Sequence, residues 1–208
     1  MNESRTGPRK SPSQERSRRT VNRILDAATR IFHEQGYTDA TTNDIADEAD
    51  VSVGSLYQYF PNKDALLVAL TQRHIATTTT DLTNLLLDLP RDSDIETTFR
   101  IVVDFLVSQH DLDDLHLLVM HQAPRTHDIN LSLEHAKSHL VELTSQILRT
   151  KITDSRKRNL VARMVVATID ASVHDVIIRQ PRGKKRQAAI DLTISTALSI
   201  VETAAARE

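Results

Sequence analysis

Apolar residues recur at three- and four-residue spacing over long stretches, and very little in the sequence interrupts them. Val21, Ile24, Leu25, Ala28, Ile31 and Phe32 follow the repeat of a single helix face. The same period returns over 95–109, over 129–147, and twice more before the C-terminus. Only four glycines and six prolines among 208 residues are available to break helices. The pattern therefore predicts an all-α chain, long enough for one sizeable core or for a small domain followed by a larger one.

Composition narrows the functional classes. No unbroken apolar run reaches the roughly 18 residues of a membrane span, so no membrane partner is expected. The N-terminal stretch lacks the apolar region of a secretory signal, which points to a cytoplasmic protein. The absence of cysteine excludes disulfides, thiol catalysis and thiolate metal sites. A net charge of −2 argues against a general polyanion binder. The charge is unevenly spread, however. Arg5, Arg9, Lys10, Arg16, Arg18, Arg19 and Arg23 face only Glu3 and Glu15 near the N-terminus. Residues 1–14 read as a basic flexible arm, which becomes meaningful if a DNA-binding element follows.

Such an element follows. A first helix is expected over 15–35, stopped by Gly36. A second, very short helix begins at Thr41 or Thr42, and Thr41 with Asp44 has capping-box spacing. A third begins after Ser52, a favourable N-cap, with Val51 and Leu56 at the spacing of a hydrophobic staple. Leu56 and Phe60 share one face and should pack inward. Pro61 ends this helix and Asn62 caps a longer one from Lys63. Two short helices joined by "ADVS" make a helix-turn-helix. The segment "VSVGSLYQYF" also concentrates Tyr57, Tyr59 and Phe60, three of seven aromatic residues in the chain. The small residues Ser52, Gly54 and Ser55 would let another backbone approach, and the tyrosines could supply hydroxyl donors to phosphates and base edges.

The stretch "TTNDIADEADVSVGSLYQYFPNKDALL" resembles the DNA-binding signature of the tetracycline-repressor (TetR) family of bacterial transcription regulators. The resemblance covers residues 19–70. It departs at Asp50, where the family usually has glycine; aspartate tolerates a left-handed backbone better than most residues. The resemblance implies a three-helix DNA-binding domain over 15–65. Thr42 would contact phosphate, and Val53, Ser55 and Tyr57 would face the major groove. Tyr59 and Lys63 would hold the DNA backbone, with Ser52 at the helix start and Gly54 supplying space.

Residues 66–208 are expected to form a larger helical domain for ligand binding and dimerisation. The stretch 157–179 has two apolar arcs: Val165, Val166, Ile169, Val173, Val176 and Ile177 on one, Leu160, Met164, Ala167, Ala171 and Ile178 on the other. A polar strip with Arg163, Asp170 and His174 separates them. The last helix repeats the arrangement, with Ile190, Ile194, Ala197, Leu198 and Val201 opposite Ala188, Ala189, Leu192, Ser195 and Ser199. A helix with two apolar faces needs two partners, which predicts a homodimer through 157–204, the mode the resemblance also implies. Phe99, His116, Met120 and His121 are candidates for lining a ligand cavity. His135, His139 and Glu142 share a helix face at a spacing a metal could use, but a solvated polar face explains them better, and neither metal nor cofactor is expected.

No phosphate loop, serine triad or paired acid-base motif is present, so an enzyme is not expected. The combined reading is a ligand-responsive transcriptional regulator, a repressor whose dimer binds a palindromic double-stranded DNA operator and is released by a small-molecule effector.

Overall fold

The computed structural model describes residues 15–90, 93–112 and 126–206. All regular structure among them is helical: α1 (Glu15–Asp39), α2 (Thr42–Glu48), α3 (Val53–Tyr59), α4 (Lys63–Leu87), α5 (Ile95–Leu112), α6 (His127–Ile147), α7 (Ser155–Ala171) and α8 (Lys184–Ala205). A short 3-10 turn, Leu148–Thr150, follows α6, and a π-helical turn, Ser172–Ile177, extends α7. The described residues form two compact units, 15–75 with 126–132, and 76–90 and 93–112 with 133–206. The basic arm expected over 1–14 lies outside the described residues, as do His116, Met120 and His121.

The first unit is built on α1. Its apolar repeat buries Ile24, Leu25, Ala28, Ile31 and Phe32 against Ile45 and Ala46 of α2, Leu56 of α3, Phe60, and Leu66, Leu67 and Leu70 of α4. Truncating a fully buried ring or leucine in so small a core costs about 3–5 kcal/mol. The stop expected at Gly36 is present, since its φ of 77° and ψ of 162° leave helical space inside α1. Asn62 accepts from the amide of Ala65 at 2.8 Å, capping α4 as expected.

In the second unit the buried residues of α7 and the π turn step by four: Val161, Val165, Ile169, Val173 and Ile177. They meet Phe99, Val103 and Val107 of α5, and Ile190, Ile194, Ala197 and Val201 of α8. The π turn corrects the expectation of one regular helix over 157–179. The amide of Ile178 donates to the carbonyl of Val173 at 3.2 Å, five residues back. The wider turn keeps Ile177 in line with Val173 and turns Val176 outward, 49% exposed, away from the apolar arc that the helical period predicts it shares with them.

The opposite arcs are uncovered except at Ile178 and Ala189, which pack against the second core, contrary to their expected place. Leu160, Met164, Ala167 and Ala171 are exposed on α7, and Ala188, Leu192, Ser195 and Ser199 on α8. Leu192 is 69% exposed and Leu160 is 60% exposed. This double-sided apolarity amends another expectation, because α8 is long and apolar enough to cross a membrane by length and composition. Its inner face nevertheless lies in the protein core, and Asp191 pairs with Arg100 of α5 at 2.9 Å.

Candidate nucleic-acid interface and ligand cavity

The turn between α2 and α3 sets the direction of the exposed helix. Thr41 caps α2, accepting from the amide of Asp44 at 3.2 Å, while Asp44 accepts from the amide of Thr41 at 3.1 Å. This reciprocal pair is the capping box expected from spacing, and such a cap contributes about 1 kcal/mol. At the other end, the amide of Asp50 donates to Asp47 and that of Val51 to Ala46, both at 3.0 Å. That is a Schellman closure, which requires a left-handed residue after the cap. Asp50 fills the position with φ of 51°. Arg23 of α1 secures the turn from the side. Its guanidinium donates to the carbonyl of Ala49 at 3.1 and 2.6 Å and to that of Asp50 at 2.6 Å. Only tertiary packing brings Arg23 to this turn; in sequence it reads as one more charge near the arm.

Ser52 caps α3 by accepting from the amide of Ser55 at 3.1 Å. Leu56 and Phe60 are buried, which fixes the rotation of this short helix. Ser52, Gly54, Tyr57 and Gln58 consequently lie exposed, with Val53 and Ser55 half-buried at the edge. Nothing inside the protein requires glycine at position 54, because an added Cβ would meet only Ser52 Oγ, at 4.0 Å. Glycine in a helix costs up to about 1 kcal/mol relative to alanine, and the vacated space opens outward. Tyr57 is 39% exposed, and its hydroxyl shares a hydrogen bond with Thr42 Oγ1 at 2.9 Å. Thr42 and Tyr57, fifteen residues apart in sequence, thus form one polar edge.

Tyr59 and Lys63 are placed differently from this exposed set. Tyr59 is half-buried against the first core and its hydroxyl donates to Ser17 at 3.3 Å. That contact brings the basic first turn of α1, with exposed Arg16, Arg18 and Arg19, beside α3. Lys63 Nζ donates to the carbonyls of Tyr37, Thr38 and Ala40 at 2.5, 2.9 and 3.0 Å. It also sits 4.7 Å from the centre of the Tyr37 ring. An ammonium has three donors, so Lys63 ties the end of α1 to the start of α4. The Tyr37 hydroxyl donates to Asp64, and burial, with that carboxylate beside it, raises the phenol above its ordinary range.

The second unit contains an apolar cavity of about 80 Å³. Leu82 and Leu86 of α4, Phe99, Val102 and Leu106 of α5, and Leu140 of α6 contribute to its wall. Of the ligand-site candidates from sequence, Phe99 is the one placed here by the described residues. Lys137 and Asp170, not named as ligand-site candidates from sequence, line the same cavity. Their side chains meet at 2.7 Å, and His174 Nδ1 lies 3.2 Å from the other Asp170 oxygen. Burial works against the Asp170 anion, but hydrogen bonds from His174 and Lys137 outweigh it and lower its pKa to about 2. Burial likewise opposes charging of His174, yet the Asp170 carboxylate and carbonyl prevail and its pKa is raised. His110 stands edge-on to His174, with ring centres 4.9 Å apart. The helical period placed Asp170 and His174 on a polar strip of α7, but Lys137 joins them only through packing of α6. His139, weighed above as a metal ligand, instead shares a hydrogen bond with Thr83 at 3.0 Å.

Comparison with known proteins bears on this geometry. Residues 24–70 match the sequence model of the bacterial regulatory proteins of the tetR family. The chain is similar to the HTH-type transcriptional regulator HbdR of Aromatoleum sp. (strain CIB), 54% identical over 44 residues, covering 21% of this chain and 19% of that protein. It is also similar to the HTH-type transcriptional repressor KstR of Mycobacterium tuberculosis (strain ATCC 25618 / H37Rv), 44% identical over 62 residues, covering 30% of this chain and 28% of that one. The matched segment thus spans less than a third of either relative. The fold as a whole is similar to that of the transcriptional regulator FadR from Bacillus subtilis, solved in complex with stearoyl-CoA. That likeness has a TM-score of 0.58 and 19% identity, over 86% of this chain and 97% of that one. Residues 24–70 of the chain thus carry the helix-turn-helix of the bacterial regulatory proteins of the tetR family.

Proposed function

We propose that the chain is a ligand-responsive DNA-binding transcriptional regulator, a cytoplasmic repressor whose homodimer grips a palindromic operator and releases it when a small molecule binds the second unit. The observation that carries the DNA-binding part is the exposed face of α3. Its fourth-residue partners Leu56 and Phe60 anchor it to a core, while Gly54 leaves clearance and Thr42 with Tyr57 offers hydroxyls beside it. Half or more of protein–DNA hydrogen bonds go to the backbone, and hydroxyls and helix starts suit that role. In this reading Ser52, Val53 and Ser55 border the groove-facing surface. Tyr59 and Lys63 support the backbone contacts by fixing α3 and the loop before α2.

The paired outer stripes of α7 and α8 support the homodimer. Small residues alternate with Leu160, Met164 and Leu192, which suits a close, self-complementary four-helix contact. The effector would occupy the cavity containing Phe99, and it would act by favouring a dimer whose two α3 helices no longer match successive major grooves. The bound stearoyl-CoA of FadR supports a molecule with a large apolar part.

Duplex binding tests the reading directly. Fluorescence anisotropy with duplex fragments over a salt series should give a linear fall of log affinity with log salt, at about 0.9 per phosphate neutralised. A truncation lacking residues 1–14 should flatten that slope. Absence of salt-dependent duplex binding by the full chain would remove the regulator reading.

A further inference from the structure

The polar side chains of α3 and its cap are unequally committed. Ser52 accepts from the amide of Ser55 at 3.1 Å, and the two serine hydroxyls share a hydrogen bond at 2.8 Å. The Tyr57 hydroxyl is joined to Thr42 at 2.9 Å, and that of Tyr59 donates to Ser17 at 3.3 Å. Gln58 is the remaining polar residue between Ser52 and Tyr59. It is exposed, and its carboxamide has no hydrogen-bond partner among the described residues. A side-chain amide carries an acceptor oxygen beside a donor nitrogen, so the uncommitted group can donate and accept side by side.

The core sets the direction of Gln58. Each residue turns an α-helix by about 100°. Leu56 and Phe60, both buried, lie two residues before and two residues after Gln58, each about 160° away from it around the helix. Of all residues in α3, Gln58 therefore points most directly away from the core. Helical side chains lean toward the N-terminus, over the residue one turn earlier, and here that residue is Gly54. The nearest atom that a Cβ on Gly54 would meet is Ser52 Oγ, at 4.0 Å, so the space beside the carboxamide is open.

We propose that Gln58 reads one adenine in each half-site of the operator, its carboxamide paired with N6 and N7 in the major groove. The proposal rests on the DNA-binding reading above and adds the residue that carries base preference. A helix with its side chains nearly fills a major groove about 12 Å wide. The centre of its outward face therefore meets base edges, while groups at its flanks, such as the Thr42–Tyr57 pair, meet the sugar-phosphate backbone. Adenine presents one acceptor and one donor side by side in that groove. Guanine presents two acceptors, cytosine a donor, and thymine an acceptor with a methyl group. A carboxamide matches adenine alone at both of its atoms. The missing side chain at Gly54 leaves room for the base edge to come alongside.

Selection of bound duplexes from a randomised pool, followed by anisotropy titration of the selected sequences, tests this with the full chain. The wild-type protein should select adenine at one position of each half-site, and replacing that base should lower affinity about tenfold. Gln58→Ala should lose the preference at that position alone and bind all four base pairs there about equally. Gln58→Arg should select guanine there, because a guanidinium donates to O6 and N7. Thermal melts of both variants should match the wild type, since the side chain is exposed. Unchanged preferences in Gln58→Ala would overturn the proposal. So would a uniform loss of affinity for every sequence, the mark of a phosphate contact, or a wild-type half-site with no adenine that responds to Gln58→Ala. Those outcomes leave DNA binding itself intact. If the wild-type chain binds no duplex in a salt-dependent way, the regulator reading fails and this proposal fails with it.

Discussion

Single residues in the first unit divide between those facing outward and those holding the outward face in place. Lys63 belongs to the second group. Its ammonium satisfies the carbonyls of Tyr37, Thr38 and Ala40, where α1 ends and the chain turns into α2. Lys63→Met should therefore destabilise the protein by about 2–3 kcal/mol, because the partly buried carbonyls lose a charged donor. Operator and unrelated duplexes should lose affinity by similar factors, since no base contact is removed. Chemical denaturation and anisotropy measure the two effects separately. A changed base preference with stability intact would place Lys63 at the base edges instead. Asp50 shows the same division. Its left-handed backbone closes the turn, while its carboxylate is fully exposed and only 3.8 Å from an exposed Arg23, a contact of little energetic weight.

Among the elements, α7 with its π turn has the most to organise. It carries the core stripe, the outer stripe and the polar strip on which Asp170 and His174 stand. The His174 imidazole is faced by Asp170, by Lys137 beyond it and by the His110 ring. Its pKa is raised in the folded chain, so its ion pair stabilises fully below the unfolded histidine value of about 6.5. That contribution is lost as pH rises through the higher folded value. Asp170 has the opposite sign, being lowered to about 2. Its contribution is present above the ordinary carboxylate range and disappears as pH falls toward 2. Stability measured by denaturation should thus fall from pH 6 to pH 8, and His174→Gln should flatten that part of the profile. An unchanged slope in the variant would mean that another histidine carries the dependence.

For the whole molecule, the decisive feature is a pair of helices that carry exposed apolar residues opposite their buried faces. Ile190, Ile194, Ala197 and Val201 are buried, whereas Leu192 on the same helix is 69% exposed. Leu192→Glu should dissociate the proposed homodimer, since a charge placed in such a contact is penalised on the order of 3–5 kcal/mol. Specific DNA binding should fall with it, because a monomer reaches one half-site only. Helical content should persist, as the mutated face is not part of the subunit core. Sedimentation velocity and circular dichroism read these outcomes. A variant that remains dimeric would move the interface to another surface.

The helical period, the Thr41 and Ser52 caps, the Gly36 stop and the inner stripes of α7 and α8 were all legible in the amino-acid sequence. Each depends on residues within one or two helical turns of each other. The family signature over 24–70 was legible for the same reason, since a short helix-turn-helix concentrates its constraints locally. What sequence could not supply were the partners brought together from distant positions. Arg23 reaches the turn at Asp50, Lys63 reaches back to Tyr37, and Lys137 of α6 meets Asp170 and His174 of α7. The π turn that exposes Val176 also escaped, because one wider turn leaves almost no mark on apolar spacing. Local periodicity determines which face of a helix is apolar. Which charged side chain arrives at that face from elsewhere depends on helix packing, and it was the tertiary structure that decided it.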